Sequence, residues 1–255
     1  MDPAHLSLAI TRIADRHWHA LHDDRVVGRG EVSSRPDGRR FLSIDAWHDA
    51  VFDQLADTMV ADLPRPLYTV VDEADLDLLC QWERAGFAPR RREWEYVIPT
   101  DPRLTGLGST PPPPGVTTLA VGEADEGPLR ALDRAIRVEI AATVGWQEMP
   151  AEVLPGPPPP DPARYAVAAC SGQYVGLVRV APLPRQPRIG LIAVRSDLRR
   201  RGIARALLAE VLGSAHRRGI ATASADVHQS NGAAIALFEG VGARRTGSNL
   251  ELVLR

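Results

Sequence analysis

The chain has no lysine: all 30 of its basic residues are arginine, and they face 32 acidic residues. The formal net charge of −2 argues against general binding to nucleic acids or anionic membranes, because both attract strongly basic proteins. We attribute the missing lysines to the base composition of the genome and draw no function from them.

Cysteine is almost absent, since Cys80 and Cys170 are the only two in 255 residues. Neither has neighbours at metal-ligand spacing, so we expect two reduced thiols and no metal. No apolar run approaches the ~18 residues of a membrane span, and the start of the chain lacks the features of a signal peptide. We therefore expect a cytoplasmic protein, monomer or homodimer, with no nucleic-acid or membrane partner.

The most informative stretch begins at Ile189. The apolar, β-branched run Ile189–Val194 predicts a buried strand. Gly202 then opens a helical pattern with one apolar stripe, made of Ile203, Leu207, Leu208, Val211, Leu212 and Ala215. The sequence thus predicts a strand, a basic glycine-containing turn and a helix, in that order.

This order has a chemical use at the turn. The first N–H groups of a helix lack internal partners and can bind a phosphate or pyrophosphate. Gly202 has no Cβ and lets a ligand approach, while Arg199–Arg201 supply charge suited to phosphate. The same pattern also fits a helix that merely starts beside a solvated cluster of charges.

Two motifs carry a resemblance to a known family. Residues 194–204 read V-x-S-x-x-R-x-x-G-x-A, which resembles the acetyl-CoA signature of the GNAT N-acetyltransferase superfamily. Ser196 stands where that signature commonly has proline. Residues 231–242 read N-x-x-A-I-x-L-F-E-x-x-G, which resembles the family's second motif. Together the motifs cover residues 187–243.

The resemblance implies that acetyl-CoA is the co-substrate, with no metal. In the family, two parallel strands splay apart and the backbone of one holds the pantetheine arm; here these would be residues 189–194 and 222–227. The positions implied to bind the coenzyme are Ile192, Ala193, Val194, Arg199, Arg200, Arg201, Gly202, Ile203, Ala204, Arg205, Asn231 and Phe238. Asn231 also fits an N-cap for the following helix.

The catalytic groups are less well defined. Phe238 stands where the family often has a tyrosine acid, and residues 188–194 lack the family's frequent acidic base. Asp226, His228 and Glu139 are the candidate substitutes, and Glu148 lies in the same segment as Glu139. Surface charge or helix capping is the alternative explanation for each of them, and it is the one that we favour.

Aromatic residues allow two interpretations. Trp146 and Tyr165 either line an acceptor pocket or belong to the core, and we favour the core. The proline-rich stretch 155–160 either shapes the mouth of such a pocket or forms a surface loop.

The two halves of the chain resemble each other. Gly28 aligns with Gly176 at an offset of 148 residues, whereas Gly86 aligns with Gly242 at an offset of 156. The first half is therefore shorter by about eight residues, and we place the missing ones at the phosphate turn. A helix is expected at 125–138 and a short second one at 139–144.

These patterns predict an α/β protein with a mixed sheet and two GNAT-like domains in tandem. Each would have a mostly antiparallel sheet, one splayed parallel strand pair and flanking helices. We expect a degenerate domain without a phosphate loop at 1–100, a proline-rich linker at 101–116, and an acetyl-CoA-binding domain at 117–255.

The function expected from the resemblance is acetyl-CoA-dependent transfer to the primary amine of a small molecule or peptide, directly within a ternary complex. The alternative is an acyl-CoA-binding sensor or scaffold that is catalytically weak or inactive. Phe238 and the strand without a carboxylate favour this alternative.

Overall fold

A computed structural model describes residues 8–35, 37–108, 111–143, 145, 160–181 and 186–255, and these residues form a mixture of strands and helices. The predicted α/β class with a mixed sheet is confirmed. The chain forms two compact units. The first runs up to Arg92 and also includes Gly247–Arg255, and the second is Glu93–Thr246.

In the first unit, strands lie side by side in the order β1 (Ala9–Ala14), β2 (His17–His22), β3 (Arg25–Ser34), β4 (Arg40–Ala46), β5 (Leu67–Asp72) and β12 (Arg244–Leu254). Helix α1 (Asp49–Asp62) follows β4 and α2 (Leu76–Arg84) follows β5. Large buried side chains from both helices and the sheet form the core, among them Trp18, Phe52, Leu55, Met59, Leu67 and Trp82.

In the second unit, the order is β6 (Ala88–Pro99), β11 (Thr222–His228), β10 (Arg188–Val194), β9 (Gln173–Ala181), β8 (Tyr165–Cys170) and β7 (Val116–Leu119). The helices are α3 (Pro102–Thr105), α4 (Glu126–Ala142), α5 (Ile203–Arg217) and α6 (Gly232–Glu239). Helices α5 and α6 pack into one core cluster and α4 into another. No helix in the described ranges is long and apolar enough to cross a membrane.

Helix α4 is longer than the sequence pattern predicts. The predicted break between residues 138 and 139 is wrong, because one helix of 17 residues runs from Glu126 to Ala142. Ile136 and Ile140 lie one turn apart on the same buried stripe, so the apolar face continues through the expected boundary.

The internal repeat is confirmed by strand register. Gly28 pairs with Ala46 across β3 and β4, and Gly176 pairs with Val194 across β9 and β10, at the predicted offset of 148 residues. Each glycine lets the following helix pack close to the sheet. A Cβ on Gly28 would lie 2.6 Å from Val51, and one on Gly176 would lie 3.2 Å from Ile203.

Most of the length difference lies at the turn, as expected. Two residues, Trp47 and His48, separate β4 from α1, whereas eight residues, 195–202, separate β10 from α5. The connection in the first unit is therefore six residues shorter and too short to form the turn seen in the second.

The predicted domain boundaries are wrong at both ends, because each unit is completed by a strand from elsewhere in the chain. Residues 93–99 of β6 pair with β11 in the second unit. Residues 249–254 of β12 pair with β5 in the first unit. Hydrogen bonding between strands far apart in sequence decides the membership, and no local pattern reports it.

The predicted linker at 101–116 is also corrected. It contains the short helix α3, the buried Thr105 and Leu107, and the start of β7. Leu107 belongs to the same core cluster as Leu207 and Phe238. This segment is therefore a packed part of the second unit.

The last strand should be essential to the stability of the first unit. Leu252 is fully buried in that core, so Leu252→Ala should lower the free energy of unfolding by about 2–5 kcal/mol. Urea unfolding followed by tryptophan fluorescence measures the change, since Trp18 and Trp82 lie in this core.

Val70→Ala is the control, because Val70 lies on the adjacent strand β5 and is 42% exposed. We expect it to cost about 1 kcal/mol or less. Equal losses in the two variants would show that β12 is not part of the core.

Candidate functional site

The site begins at a gap between two parallel strands. Strands β10 and β11 pair at one position only, Arg188 with Ser224. On its other side, β10 stays paired with β9 as far as Val194. Among the described residues, the backbone groups of β10 that face β11 beyond Arg188 therefore have no strand partner. The predicted splay is confirmed, and this open edge can accept an extended chain rich in amides.

An ion pair closes one end of the gap. The guanidinium of Arg188 on β10 donates a hydrogen bond to the carboxylate of Asp226 on β11. Asp226 lies two residues past the last paired position, where the strands begin to separate. This predicted catalytic residue therefore joins the two strands at the start of the splay.

The turn after β10 has the backbone of an anion site. A short 3-10 segment, Ser196–Leu198, leads to Arg200 and Gly202, which have positive φ angles of 63° and 85°. Gly202 is the N-cap of α5, and no side chain caps this end. The first N–H groups of α5 therefore lack intrahelical partners, and the helix dipole adds positive potential there.

The arginines of the turn have different contacts. Arg199 donates to the carbonyl of Val194 at 3.1 Å and to Glu139 at 3.3 Å, so it ties the turn to the end of β10. Arg201 reaches the carbonyl of Asp197 at 3.4 Å. The sequence predicted that Arg199 supplies positive charge for a phosphate. The structure shows that it also holds the turn against β10.

Glu139 lies at the turn. Its carboxylate accepts a hydrogen bond from the backbone N–H of Ser196 at 2.9 Å as well as the one from Arg199. The side chain is only 20% exposed. The structure thus places this predicted catalytic base where it anchors the turn to α4, away from the Arg188–Asp226 end of β10.

His228 ends strand β11 and is buried. Its Nδ1 accepts the backbone N–H of Ser230 at 3.2 Å and lies 2.6 Å from the Ser230 hydroxyl. A backbone N–H can only donate, so Nδ1 is an acceptor here and the neutral ring carries its proton on Nε2. This tautomer can donate from Nε2 but cannot accept a proton there.

Strand β6 brings further carboxylates to this place. Glu95 is paired directly with Asp226, and Glu93 with His228, across the antiparallel β6–β11 ladder. Residues two apart on a strand share a face, so these four side chains form one polar row beside the gap. The sequence did not indicate the two glutamates, because the pairing of β6 with β11 is a tertiary feature.

Two positions of the second motif, Asn231 and Phe238, make contacts within the protein. The Asn231 side chain accepts the N–H of Ala234 at 3.1 Å, which confirms the predicted N-cap of α6. Phe238 is 3% exposed and packs against Tyr96, with 6.1 Å between ring centroids.

Tyr96 is a neighbour that sequence reasoning missed. Its hydroxyl donates to Glu239 at 3.0 Å and accepts from Arg245 at 2.8 Å. Burial raises the pKa of Tyr96, so the hydroxyl keeps its proton in this contact. The alternation of Trp94, Tyr96 and Ile98 was visible in the sequence, but their partner across the core was not.

Other predicted residues are outside the site or outside the described ranges. Tyr165 is 4% exposed and packs beneath α4, which confirms its assignment to the core. Trp146, Glu148 and residues 155–159 lie outside the described residues. Within the described part of the chain, no cluster of three or more His, Cys, Asp or Glu side chains is arranged to hold a metal ion.

A splayed strand pair that ends at an uncapped helix defines a fold able to bind a long amide-containing cofactor with phosphates. Residues 139–243 match the family model described as Acetyltransferase (GNAT) family. This matched segment contains both motifs and is similar to a GNAT acetyltransferase domain.

Curated relatives match a short part of the chain. The [Ribosomal protein bS18]-alanine N-acetyltransferases of Escherichia coli K12 and Shigella flexneri are 47% identical to it over 51 residues, 20% of this chain. The chain spans about a third (34%) of the length of these relatives.

Solved structures match nearly the whole chain at low identity. A GCN5-related N-acetyltransferase from Sphaerobacter thermophilus superposes with a TM-score of 0.64 at 19% identity, over 96% of this chain and 82% of that one. A tandem GNAT protein from the clavulanic acid biosynthesis pathway gives a TM-score of 0.65 at 14% identity, over 93% and 82%. These similarities confirm the predicted GNAT-like fold, and one of the two structures is that of a tandem GNAT protein.

The contacts of Glu139 predict that it acts on coenzyme binding. Glu139→Gln weakens the charge-assisted bond to Arg199, so the turn should be less well ordered and the affinity for coenzyme A should fall about three- to tenfold. Titration calorimetry measures the affinity.

Glu126→Gln is the matched control on the same helix, where Glu126 forms an exposed pair with Arg130. It should leave the affinity unchanged. If Glu139→Gln abolished acetyl transfer with full coenzyme affinity, Glu139 would instead be the catalytic base.

Proposed function

We propose that the unit Glu93–Thr246 binds acetyl-CoA and transfers its acetyl group to a primary amine. One observation carries this proposal: the gap between β10 and β11 opens toward the start of α5, whose first backbone N–H groups lack intrahelical partners. An extended pantetheine arm and a pyrophosphate require these two features next to each other.

The chain's own backbone would hold the coenzyme. The open edge at Ile192–Val194 offers amide groups to the pantetheine arm, and the N–H groups of the turn and of Ile203–Arg205 face the pyrophosphate. A backbone N–H near Val194 is also the donor that we propose for the carbonyl oxygen during transfer. These contacts use main chain, and the Arg199 contacts described above hold the turn that presents them.

The transfer itself is proposed as a direct attack within a ternary complex. The amine nitrogen bonds to the thioester carbon, the carbon–sulfur bond breaks, the thiolate leaves and the amine loses one proton. Asp226 and His228 stay as the proposed groups near the acceptor, His228 as a donor through Nε2 and Asp226 as the proton acceptor. Phe238 has no acidic proton to donate, and in this proposal the sulfur leaves as the thiolate while the amine proton passes to Asp226.

The acceptor is proposed to be a primary amine of a small molecule or a peptide. The carboxylates of Glu93, Glu95 and Asp226 share one face beside the gap and favour a cationic group there. The curated relatives are named for acetylation of an alanine of a ribosomal protein, which supports a peptide amine within this class.

The second candidate is a coenzyme-binding sensor or scaffold with little turnover. It is favoured by Phe238, which has no hydroxyl, and by Glu139, whose carboxylate is bound to the turn. In either case, we propose that the first unit binds no coenzyme, because Trp47 and His48 alone connect its β4 to α1.

A turnover assay separates the two candidates. We expect the full chain to release thiol from acetyl-CoA in the presence of a primary amine, tested with small amines and with short peptides that have a free N-terminus. Coenzyme binding in calorimetry without thiol release for any amine would support the sensor. The absence of both would contradict the proposal.

A carboxylate introduced into the turn tests whether the turn binds the pyrophosphate. Gly202→Asp puts a negative charge beside the N–H groups that face the pyrophosphate, so the affinity for coenzyme A should fall by more than tenfold in calorimetry.

Gly219→Asp is the matched control, because Gly219 also has a positive φ (76°) and lies just past the other end of α5. Both variants bear the same kind of backbone strain, but only the first should affect binding. Similar affinities in the two variants would exclude the turn as the pyrophosphate site.

A further inference from the structure

A proline strap, Pro111–Pro114, lies against the start of α5. The ring of Pro113 approaches the turn so closely that a Cβ on Gly202 would lie 3.4 Å from Pro113 Cγ. Pro113 is half-buried, whereas the other three prolines are exposed. The space beside Gly202 that the sequence suggested for a ligand is thus bordered by protein on one side.

Strap and helix line an open cavity of about 270 Å³. Pro111, Pro113 and Pro114 form one wall, and Gly202, Ala206 and Ala209 form the other. Ala206 and Ala209 lie about one and two turns beyond Gly202 on the same side of α5, so the cavity runs from the turn along the helix.

The position of the cavity indicates which part of a coenzyme it fits. Gly202 and Arg201 belong both to the turn and to the cavity wall. If the pyrophosphate of a coenzyme lies at the turn, its pantetheine arm extends to one side, into the strand gap. Its nucleoside then lies on the opposite side of the turn. The volume is just below the roughly 300–1,000 Å³ of complete ligand sites, which suits one ring system.

The chemistry of the walls fits the same fragment. Proline rings and alanine methyl groups offer apolar surface to the faces of a flat base, and proline presents no N–H that would need a partner. Arg201 and Arg205 border the cavity. Arg201 donates to the carbonyl of Asp197 at 3.4 Å, and Arg205 donates to the carbonyl of Gly240 at 3.0 Å. Their remaining N–H groups are suited to a phosphate on the ribose.

We infer that the proline strap is the binding wall for the adenosine portion of the coenzyme. The inference rests on the proposed function. Because proline fixes φ, the wall is ordered before binding and little conformational entropy is lost when the base enters. The strap thus contributes to affinity for the nucleoside end only.

The test compares two ligands by calorimetry on the full chain: coenzyme A and 4′-phosphopantetheine, which lacks the adenosine with its 3′-phosphate and one phosphate of the pyrophosphate. Pro111→Ala/Pro113→Ala should weaken coenzyme A about tenfold and leave 4′-phosphopantetheine unchanged. Pro112→Ala is the control within the strap, because Pro112 does not line the cavity, and it should change neither affinity.

Equal losses for both ligands, no loss, or tighter binding of coenzyme A would overturn the inference; the last result would mean that the strap obstructs the site. A second measurement needs no variant: if the unaltered chain binds both ligands equally well, the inference fails and the proposed function stands. If the unaltered chain binds neither ligand, the result contradicts the proposed function itself, and the inference falls with it.

Discussion

The binding site proposed for the second unit depends on backbone N–H and C=O groups that its own sheet and helix leave unpaired. β10 pairs with β11 at one position only, and no side chain caps α5. Buried backbone polar groups are costly without partners, so an open strand edge next to a free helix end is stable when water or a ligand supplies the missing bonds. The coenzyme binding proposed for this unit uses main-chain atoms because these are the groups that lack partners.

The side chains around this opening keep it in shape. The Arg188–Asp226 pair joins the strands where the splay begins, and Glu139 with Arg199 holds the turn at the other end of β10. Charge-assisted bonds are strong enough to fix geometry that backbone pairing does not fix. Residues that sequence reasoning singled out for catalysis or phosphate binding are therefore also the supports of the site.

The two units share one plan but differ at the turn. Both contain a parallel strand pair that is joined only at its start, β4 with β5 in the first and β10 with β11 in the second. The glycines at 28 and 176 let the helix approach the sheet in each unit. The short connection at Trp47 and His48 leaves no room for the eight-residue turn in the first unit, and the fold is kept because the core packing does not need that turn.

The sequence by itself determined most of the elements, the internal repeat with its shortened turn and the N-cap at Asn231, whereas the splayed pair was implied by the family resemblance. These follow from local periodicity, from glycine positions and from motif spacing, which a few neighbouring residues specify. Only the tertiary structure decided that β6 and β12 complete units other than those expected, that Glu139 anchors the turn, and that Pro113 lies beside Gly202. Each of these is a contact between residues far apart in the chain, and such contacts depend on packing and strand pairing that no local pattern encodes.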